Sequence, residues 1–501
     1  MSGQAPPSHA ELSPYHASLD TPLLDFGGER WTIRDACEAT CIIGAPGSGK
    51  SSASAKYLRR ACLTAGMGAV FGCAKVDEFE RELLPVIREA GREDDLVVMD
   101  ASGAVRFNIL DYAARHLGGP GFEQNLVVLM ERMNEAANVA KKGAVDSGEG
   151  KFFTDGASKW LSHAFPLLLA VEGTIRLKDV YAFITTAPKS ADEVKTAEWR
   201  ASYCSQVHLK AHAKRKQGDA YATKAMEEHG RFFLQGEFIA LDNKPRSSIE
   251  ATLTNLIYPF LTGKLAELFC TDTNITPEAT REGALIVLDL PPVRFGPMGA
   301  AAQSMFKYVF GMAMQNAPVT PQTRPVLIYF DEVQNFLSSA DADLLAMARG
   351  SKVCPVFITQ DYPTFFAKMG EDDAKSLLGK FGTRIFHANA SYETNLAASN
   401  LIGEVEKTRV NITTTTTNTT GSGGSLNDKS SGSSTQGGQS ATESQSASGY
   451  TQHEITPDHF ASKLRTGAER NGYKVDGIVV RTGRNWKRTG RHWLPAEFDQ
   501  R

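Results

Sequence analysis

An α/β fold is what this sequence predicts: a parallel sheet covered by helices on both faces and interrupted by an all-α insertion. Three observations carry that reading. Short apolar runs alternate with helical stretches over residues 23–111 and again over 260–411, the rhythm of strand–helix–strand units. Between them, residues 112–259 have helical spacing in almost every segment. And Cys41-Ile42-Ile43-Gly44-Ala45-Pro46-Gly47-Ser48-Gly49-Lys50-Ser51 sets an apolar run, a glycine-rich turn and a Lys-Ser pair in the order of the phosphate-loop template.

Taken in order, residues 1–22 hold prolines and no periodicity, and read as a loose arm. Alternation around Trp31 and Ile33 predicts a small strand pair leading into the strand that ends at Ile43. A helix follows from Ser51 to about Ala65, stopped by Gly66, then a buried strand Ala69–Cys73, a helix over 77–90, and a strand Leu96–Met99 ending at Asp100. The insertion offers helices over 122–144, 154–172, 190–215, 220–233 and 247–261. An insertion of that size projects from a sheet's edge as a second domain. The strand pattern returns at Ala284–Asp289, with a helix from Gly299 to Gln315, a strand Pro325–Phe330 ending in Asp331-Glu332, a helix over 340–349, and strands at Val353–Ile358 and Arg384–His387. Residues 412–450 are almost entirely Thr, Ser, Gly, Asn and Gln, a flexible linker that buries no core, and 451–501 form a short C-terminal segment.

Composition narrows the classes. At 501 residues the chain exceeds one ordinary core, and 42% hydrophobic content is ample for burial. A formal net charge of −3 excludes a globally basic nucleic-acid binder, so any such contact is local. Seven scattered cysteines without a C-x-x-C pair favour reduced, packing thiols over a disulfide framework or zinc site. No apolar run approaches the ~20 residues of a membrane helix, which leads to the expectation of a cytoplasmic protein, or one held at the inner membrane by a partner.

The chemistry concentrates in a few residues. Glycines in the loop let successive N–H groups turn inward around an anionic phosphate, helped by the positive helix N-terminus. The expected nucleotide contacts are Gly44, Ala45, Pro46, Gly47, Ser48, Gly49, Lys50, Ser51 and Ser52, with Lys50 reaching the β- and γ-phosphates of ATP. Ser51 and Asp331 are the expected Mg2+ residues, and Glu332 the acid that polarises the attacking water. Gln360, at the end of the next strand, suits sensing of the γ-phosphate or the water. Arg349 ends a helix, where a cation is favourable in any case, and is also a candidate arginine finger for a neighbouring subunit; Arg384 is a second candidate. Two basic stretches are readable as nucleic-acid contacts or as plain surface: His208–Lys216, and Arg481, Arg484, Lys487, Arg488 and Arg491 around Trp486 and Trp493.

Together these residues resemble the conjugative type IV coupling proteins of the TraG/TraD type, within the HerA/FtsK class of ring-shaped DNA pumps. The resemblance spans most of residues 30–500. It rests on Gly44–Ser51, on Arg106-Phe107-Asn108 and Leu110-Asp111 followed directly by the all-α insertion, on Phe330-Asp331-Glu332-Val333-Gln334, on Ala348-Arg349-Gly350 before Thr359-Gln360, and on the Ser/Thr/Gly tract. It implies a RecA-like domain with an all-α domain, a homo-hexamer around a DNA-sized channel, ATP and Mg2+ at Lys50, Ser51, Asp331 and Glu332, and a trans-acting Arg349. It also implies DNA, a relaxase or other secretion substrate, and inner-membrane secretion components as partners. The chain departs from the pattern in lacking N-terminal transmembrane helices, and in having Cys73-Ala74-Lys75 where the family tends to place an acid before the Pro-Lys equivalent. Three functions stay open on this reading: a DNA-translocating coupling protein, a soluble HerA/FtsK-like translocase in repair or defence, and a protein-cargo receptor whose ATPase gates assembly.

Overall fold

The computed structural model describes residues 17–117, 121–141, 148–421 and 436–501. Most of the expected N-terminal arm and the 422–435 part of the expected linker lie outside the described residues. The strands are β1 (Pro22–Asp25), β2 (Arg30–Thr32), β3 (Thr40–Ile43), β4 (Gly68–Gly72), β5 (Leu96–Met99), β6 (Leu285–Leu288), β7 (Val326–Phe330), β8 (Val353–Thr359), β9 (Thr383–Phe386), β10 (Glu404–Gly421), β11 (Gln436–His453), β12 (Lys474–Arg481) and β13 (Trp493–Asp499). β1 and β2 form the expected antiparallel pair. Nine others make one sheet in the order β13-β12-β9-β3-β8-β7-β4-β6-β5.

From β9 to β5 every neighbouring pair is parallel, so all seven strands end on the same edge. Alternate residues feed two cores. Cys41, Ile43, Ile286, Leu288, Ile328 and Phe330 face one, while Ile42, Leu285, Val287, Leu327 and Tyr329 face the other. Burial on both faces is why these strands read as unbroken apolar runs.

Between β5 and β6 the chain is helical, as expected, but several boundaries differ. The stretch 190–215 is three pieces: Thr196 and Ser202 each accept a hydrogen bond from a backbone N–H three residues on (3.1 and 3.3 Å), starting new helices at Ala197 and Tyr203. The insertion also shares its core with the sheet. Helix Gln124–Lys141 packs on helix Pro297–Asn316, and Leu126, Phe165, Phe183 and Phe233 belong to the same apolar cluster as Ile286 and Ile328.

The C-terminal part departs most from expectation. Instead of a separate segment after a linker, β12 adds antiparallel to β9, and β13 to β12, extending the main sheet. Ile478 and Val480 supply one core and Val475 and Val479 the other, so burying this strand outweighs its distance along the chain. Within the tract expected to be flexible, β10 and β11 pair residue for residue as a long two-stranded ribbon, with exposed side chains over 406–418 and 440–451. Its many threonines are β-branched and suit a pleated strand even without a core.

In the basic cluster around Trp486, that ring, Arg481 and Arg484 are spent on internal partners, while Lys487, Arg488 and Arg491 are exposed. Trp486 is fully buried edge-on to Phe26, with the Arg481 guanidinium 4.5 Å from its ring centroid. Arg481 and Arg484 both pair with Asp35, and Arg484 also with Glu38. Of the two readings of this cluster, the packed basic hairpin is the one observed. In His208–Lys216, His208 and Ala211 are buried while Lys210, Arg215 and Lys216 form a solvated face. All seven cysteines are buried and free, and no helix among the described residues is long and apolar enough to cross a membrane.

Trp486→Ala is expected to cost about 3–5 kcal/mol of stability in urea unfolding, as for other large buried aromatics. Unchanged stability with weakened nucleic-acid binding would instead return Trp486 to a stacking role.

Candidate functional site

Five strand ends converge on one edge of the sheet. β3 runs into the loop 44–51; the Gly44 and Ala45 N–H groups donate to the carbonyls of Thr359 (3.3 Å) and Ala388 (3.0 Å), pinning the loop to the ends of β8 and β9. Gly47 and Gly49 hold φ of +74° and +88°, where a side chain would be strained. Beyond the turn, the N–H groups of Gly47, Gly49, Lys50, Ser51 and Ser52 have no acceptor among the described residues. Five free donors at the start of helix Ser54–Thr64 are what an anion requires.

β7 supplies the acids. Asp331 is fully buried and accepts from the Ser51 hydroxyl (2.8 Å) and from Lys75 (3.1 Å), both at Oδ2, while its Oδ1 accepts the Glu332 N–H (2.8 Å). Lys50 Nζ lies 3.7 Å from Glu332 Oε1. The other carboxylate oxygen, Oε2, accepts from Gln334 (2.6 Å) and Gln360 (3.0 Å). Thr359 in turn donates to Gln334 Oε1 (3.2 Å), tying the arrangement to β8.

Glu332 has φ +46° and ψ +46°, the left-handed region. For a residue with a long side chain this costs on the order of 1–3 kcal/mol, and such strain persists where surrounding bonds over-determine it. Here two glutamines and two lysines surround its carboxylate.

The charges are arranged in layers. Burial pushes the Asp331 carboxyl up, but Lys75, Lys50 and the Ser51 hydrogen bond outweigh it and leave it below the usual carboxylate range. Burial acts to lower Lys75, and the carboxylates of Asp331 and Glu78 prevail, holding it up at about 12. Behind them Glu78 accepts the N–H groups of Ala74 and Lys75 (2.8 and 3.1 Å); burial, then the charge of Asp331, push its carboxyl up to about 8. Glu78 is an acid close to Lys75, supplied by the following helical turn rather than by the position before Lys75. A cavity of about 510 Å³ opens over the loop, lined among others by Pro46, Gly47, Lys50, Ser51, Lys75, Glu332 and Gln500. A hydroxyl and a carboxylate sharing one point are a hard-oxygen donor set, suited to Mg2+.

Thus Lys50, Ser51, Asp331, Glu332 and Gln360 come together, and Ser52 lines the same cavity. Ser48 does not line it: its side chain is buried beneath the loop against Gly44. Arg349 lies away from the cavity, at the opposite sheet edge before β8, with its side chain 67% exposed and its nearest acid, Glu38, at 3.9 Å. Arg384 is buried and donates to the Leu378 carbonyl, so it is no free finger. Sequence reading gave no role to Gln334, Glu78 or Gln500. The first sits two residues past Glu332 and was within reach of a search for polar neighbours; Gln500 has no local signal at all.

Residues 325–454 match the family model described as the TraM recognition site of TraD and TraG. That stretch of the chain resembles the corresponding part of TraD and TraG. Among solved structures, the unbound bacterial conjugative coupling protein TrwBdeltaN70 matches with a TM-score of 0.57 at 15% identity, covering 95% of this chain and 89% of that one. The plasmid coupling protein TrwB in complex with ADP and Mg2+ matches at 0.59 and 13%, covering 95% and 88%. TrwB with the ATP analogue ADPNP matches at 0.56 and 15%, covering 95% and 89%. At such identities these likenesses show a shared fold, the RecA-like sheet with a helical domain. No curated protein matches this chain in sequence.

Because the folded-state Glu78 carboxyl titrates above its ordinary 4.5, the unfolded chain releases that proton first. Its ionisation therefore takes nothing from stability below about pH 4.5, and stability declines as pH rises toward 8. Glu78→Gln is expected to flatten that decline, so its stability relative to wild type grows between those pH values in urea titrations. A pH-independent difference would refute the assignment.

Proposed function

We propose that this chain is an ATP-hydrolysing, DNA-translocating motor of the coupling-protein type, which delivers DNA or a relaxase–DNA complex to a type IV secretion channel. The observation that carries the reading is the meeting of Lys50, Ser51 and Glu332 at one cavity over a loop of free N–H donors, with the buried Asp331 bonded to Ser51 behind them. The complexes of TrwB with ADPNP and with ADP and Mg2+ support a nucleotide as the ligand. The TraM recognition-site match supports a relaxosome-type partner.

On this reading the loop N–H groups and Lys50 bind the β- and γ-phosphates of ATP. Ser51 and Asp331 hold Mg2+, which when bound neutralises charge developing on the phosphates. Lys50 exchanges Glu332 for phosphate oxygens, freeing Glu332 Oε1 to take a proton from the attacking water. Gln334 and Gln360 hold Oε2, so the acceptor oxygen is fixed in place. Gln360, reaching Glu332 from the next strand, conveys the nucleotide state to β8. Arg349, exposed at the far sheet edge, acts in a neighbouring subunit's site within a homo-hexamer, with DNA in the ring channel. The protein works in the cytoplasm, or at the inner membrane through secretion components that it docks on.

Wild-type protein is expected to hydrolyse ATP faster with DNA present, and Glu332→Gln to lower kcat by about 10²–10⁴-fold while retaining ATP binding. Equal rates with and without DNA across salt concentrations would remove the pump and favour a cargo receptor. Mixing Arg349→Ala with Lys50→Ala subunits should restore part of the activity, since each supplies what the other lacks. If confirmed mixed rings stay inactive, the trans-acting arginine is wrong.

A further inference from the structure

The sheet's last strand delivers a residue to the cavity that the phosphate-loop chemistry does not use. Beyond β13, the backbone N–H of Gln500 donates to the Tyr473 carbonyl (2.9 Å), and its side-chain carbonyl accepts the Ala468 N–H (2.7 Å). These bonds aim its amide nitrogen at the phosphate loop, where it donates to the Ser52 hydroxyl (2.7 Å). The support beneath is close-fitting. A Cβ on Gly49 would stand 2.6 Å from Val475 on β12, and Tyr57 of the loop's helix meets Phe498 of β13 edge-on at 5.9 Å. Gln500 is therefore held from both sides at the cavity wall.

Its place along the cavity follows from chemistry. Lys50, Lys75 and Glu332 mark the end where the terminal phosphate is cut. Ser52, one residue further into the helix N-terminus than Ser51, belongs toward the other end of a triphosphate. Gln500 is bonded to Ser52 and makes no hydrogen bond to Lys50, Lys75 or Glu332 among the described residues. A primary amide has two N–H donors and two carbonyl lone pairs. Ser52 uses one donor and Ala468 one lone pair, leaving one of each at the cavity wall.

We infer that Gln500 is a nucleoside-binding residue: its remaining amide donor and acceptor meet the ribose or base of the nucleotide whose phosphates the loop holds. This deepens the nucleotide reading and rests on it. It makes the β12–β13 hairpin the nucleoside wall of the site, so an inorganic polyphosphate would engage the loop without engaging Gln500.

The test compares dissociation constants of ATP, ADP and inorganic tripolyphosphate, each with Mg2+, by calorimetry on the full chain. Gln500→Ala should weaken ATP and ADP by about three- to tenfold, the worth of one or two hydrogen bonds, and leave tripolyphosphate within about twofold. Lys50→Ala should weaken all three. An equal loss for all three in Gln500→Ala would overturn the inference and assign Gln500 to bracing the loop. No loss for any would overturn it as well. Failure of wild-type protein to bind any of the three would remove the nucleotide reading itself, a result distinguishable from both.

Discussion

The hydrogen bond from Ser51 to Asp331 joins two strand ends 280 residues apart in sequence. Most of the site depends on those ends being level. β3 and β7 are not neighbours; β8 lies between them and pairs with both in parallel register. Because parallel strands share one direction, the loop, the acids, Gln360 and Lys75 all emerge on one edge without further design. A shift of one residue in β7 would turn Asp331 toward the opposite face and separate it from Ser51.

Much of this was legible in the sequence. The apolar runs ending at Ile43, Phe330 and Ile358, followed by their polar residues, are local patterns, and the structure forms a strand at each. What escaped reading depends on distant pairing. Nothing near Ile478 says that its strand joins β9, because the alternation fits any sheet. The Thr- and Ser-rich stretches of β10 and β11 look like linker by composition, since strand pairing there gains backbone hydrogen bonds and buries little. Arg384 and Trp486 illustrate the same gap: each has a residue type suited to a ligand, and each is spent on an internal partner. Glu332's backbone strain is likewise invisible without coordinates.

The helical insertion reaches the site indirectly. Lys307, fully buried, donates to the Phe336 carbonyl (2.6 Å) and to Asp341 (2.7 Å), and Asp341 accepts the Ser338 N–H (2.9 Å). Burial draws Lys307 downward against the raising charge of Asp341, and raises Asp341 against that of Lys307, so the pair is held by mutual need. Glu135, on the insertion's first long helix, accepts the N–H and hydroxyl of Ser339 in the same turn. The segment just past Glu332 is thus gripped by the sheet's covering helix and by the insertion, which gives the two parts of the molecule a shared, rigid joint.

The placement of Gln500 has a consequence for how the molecule comes into being. A cavity whose floor is made by Pro46, Gly47 and Gly49–Ser52 and whose side wall awaits residue 500 cannot be finished while the ribosome is still at work on the intervening chain. Until residue 500 is made, the cavity lacks that wall. That wall closes only when β12 and β13 have joined β9, through contacts distant along the chain and slow to form.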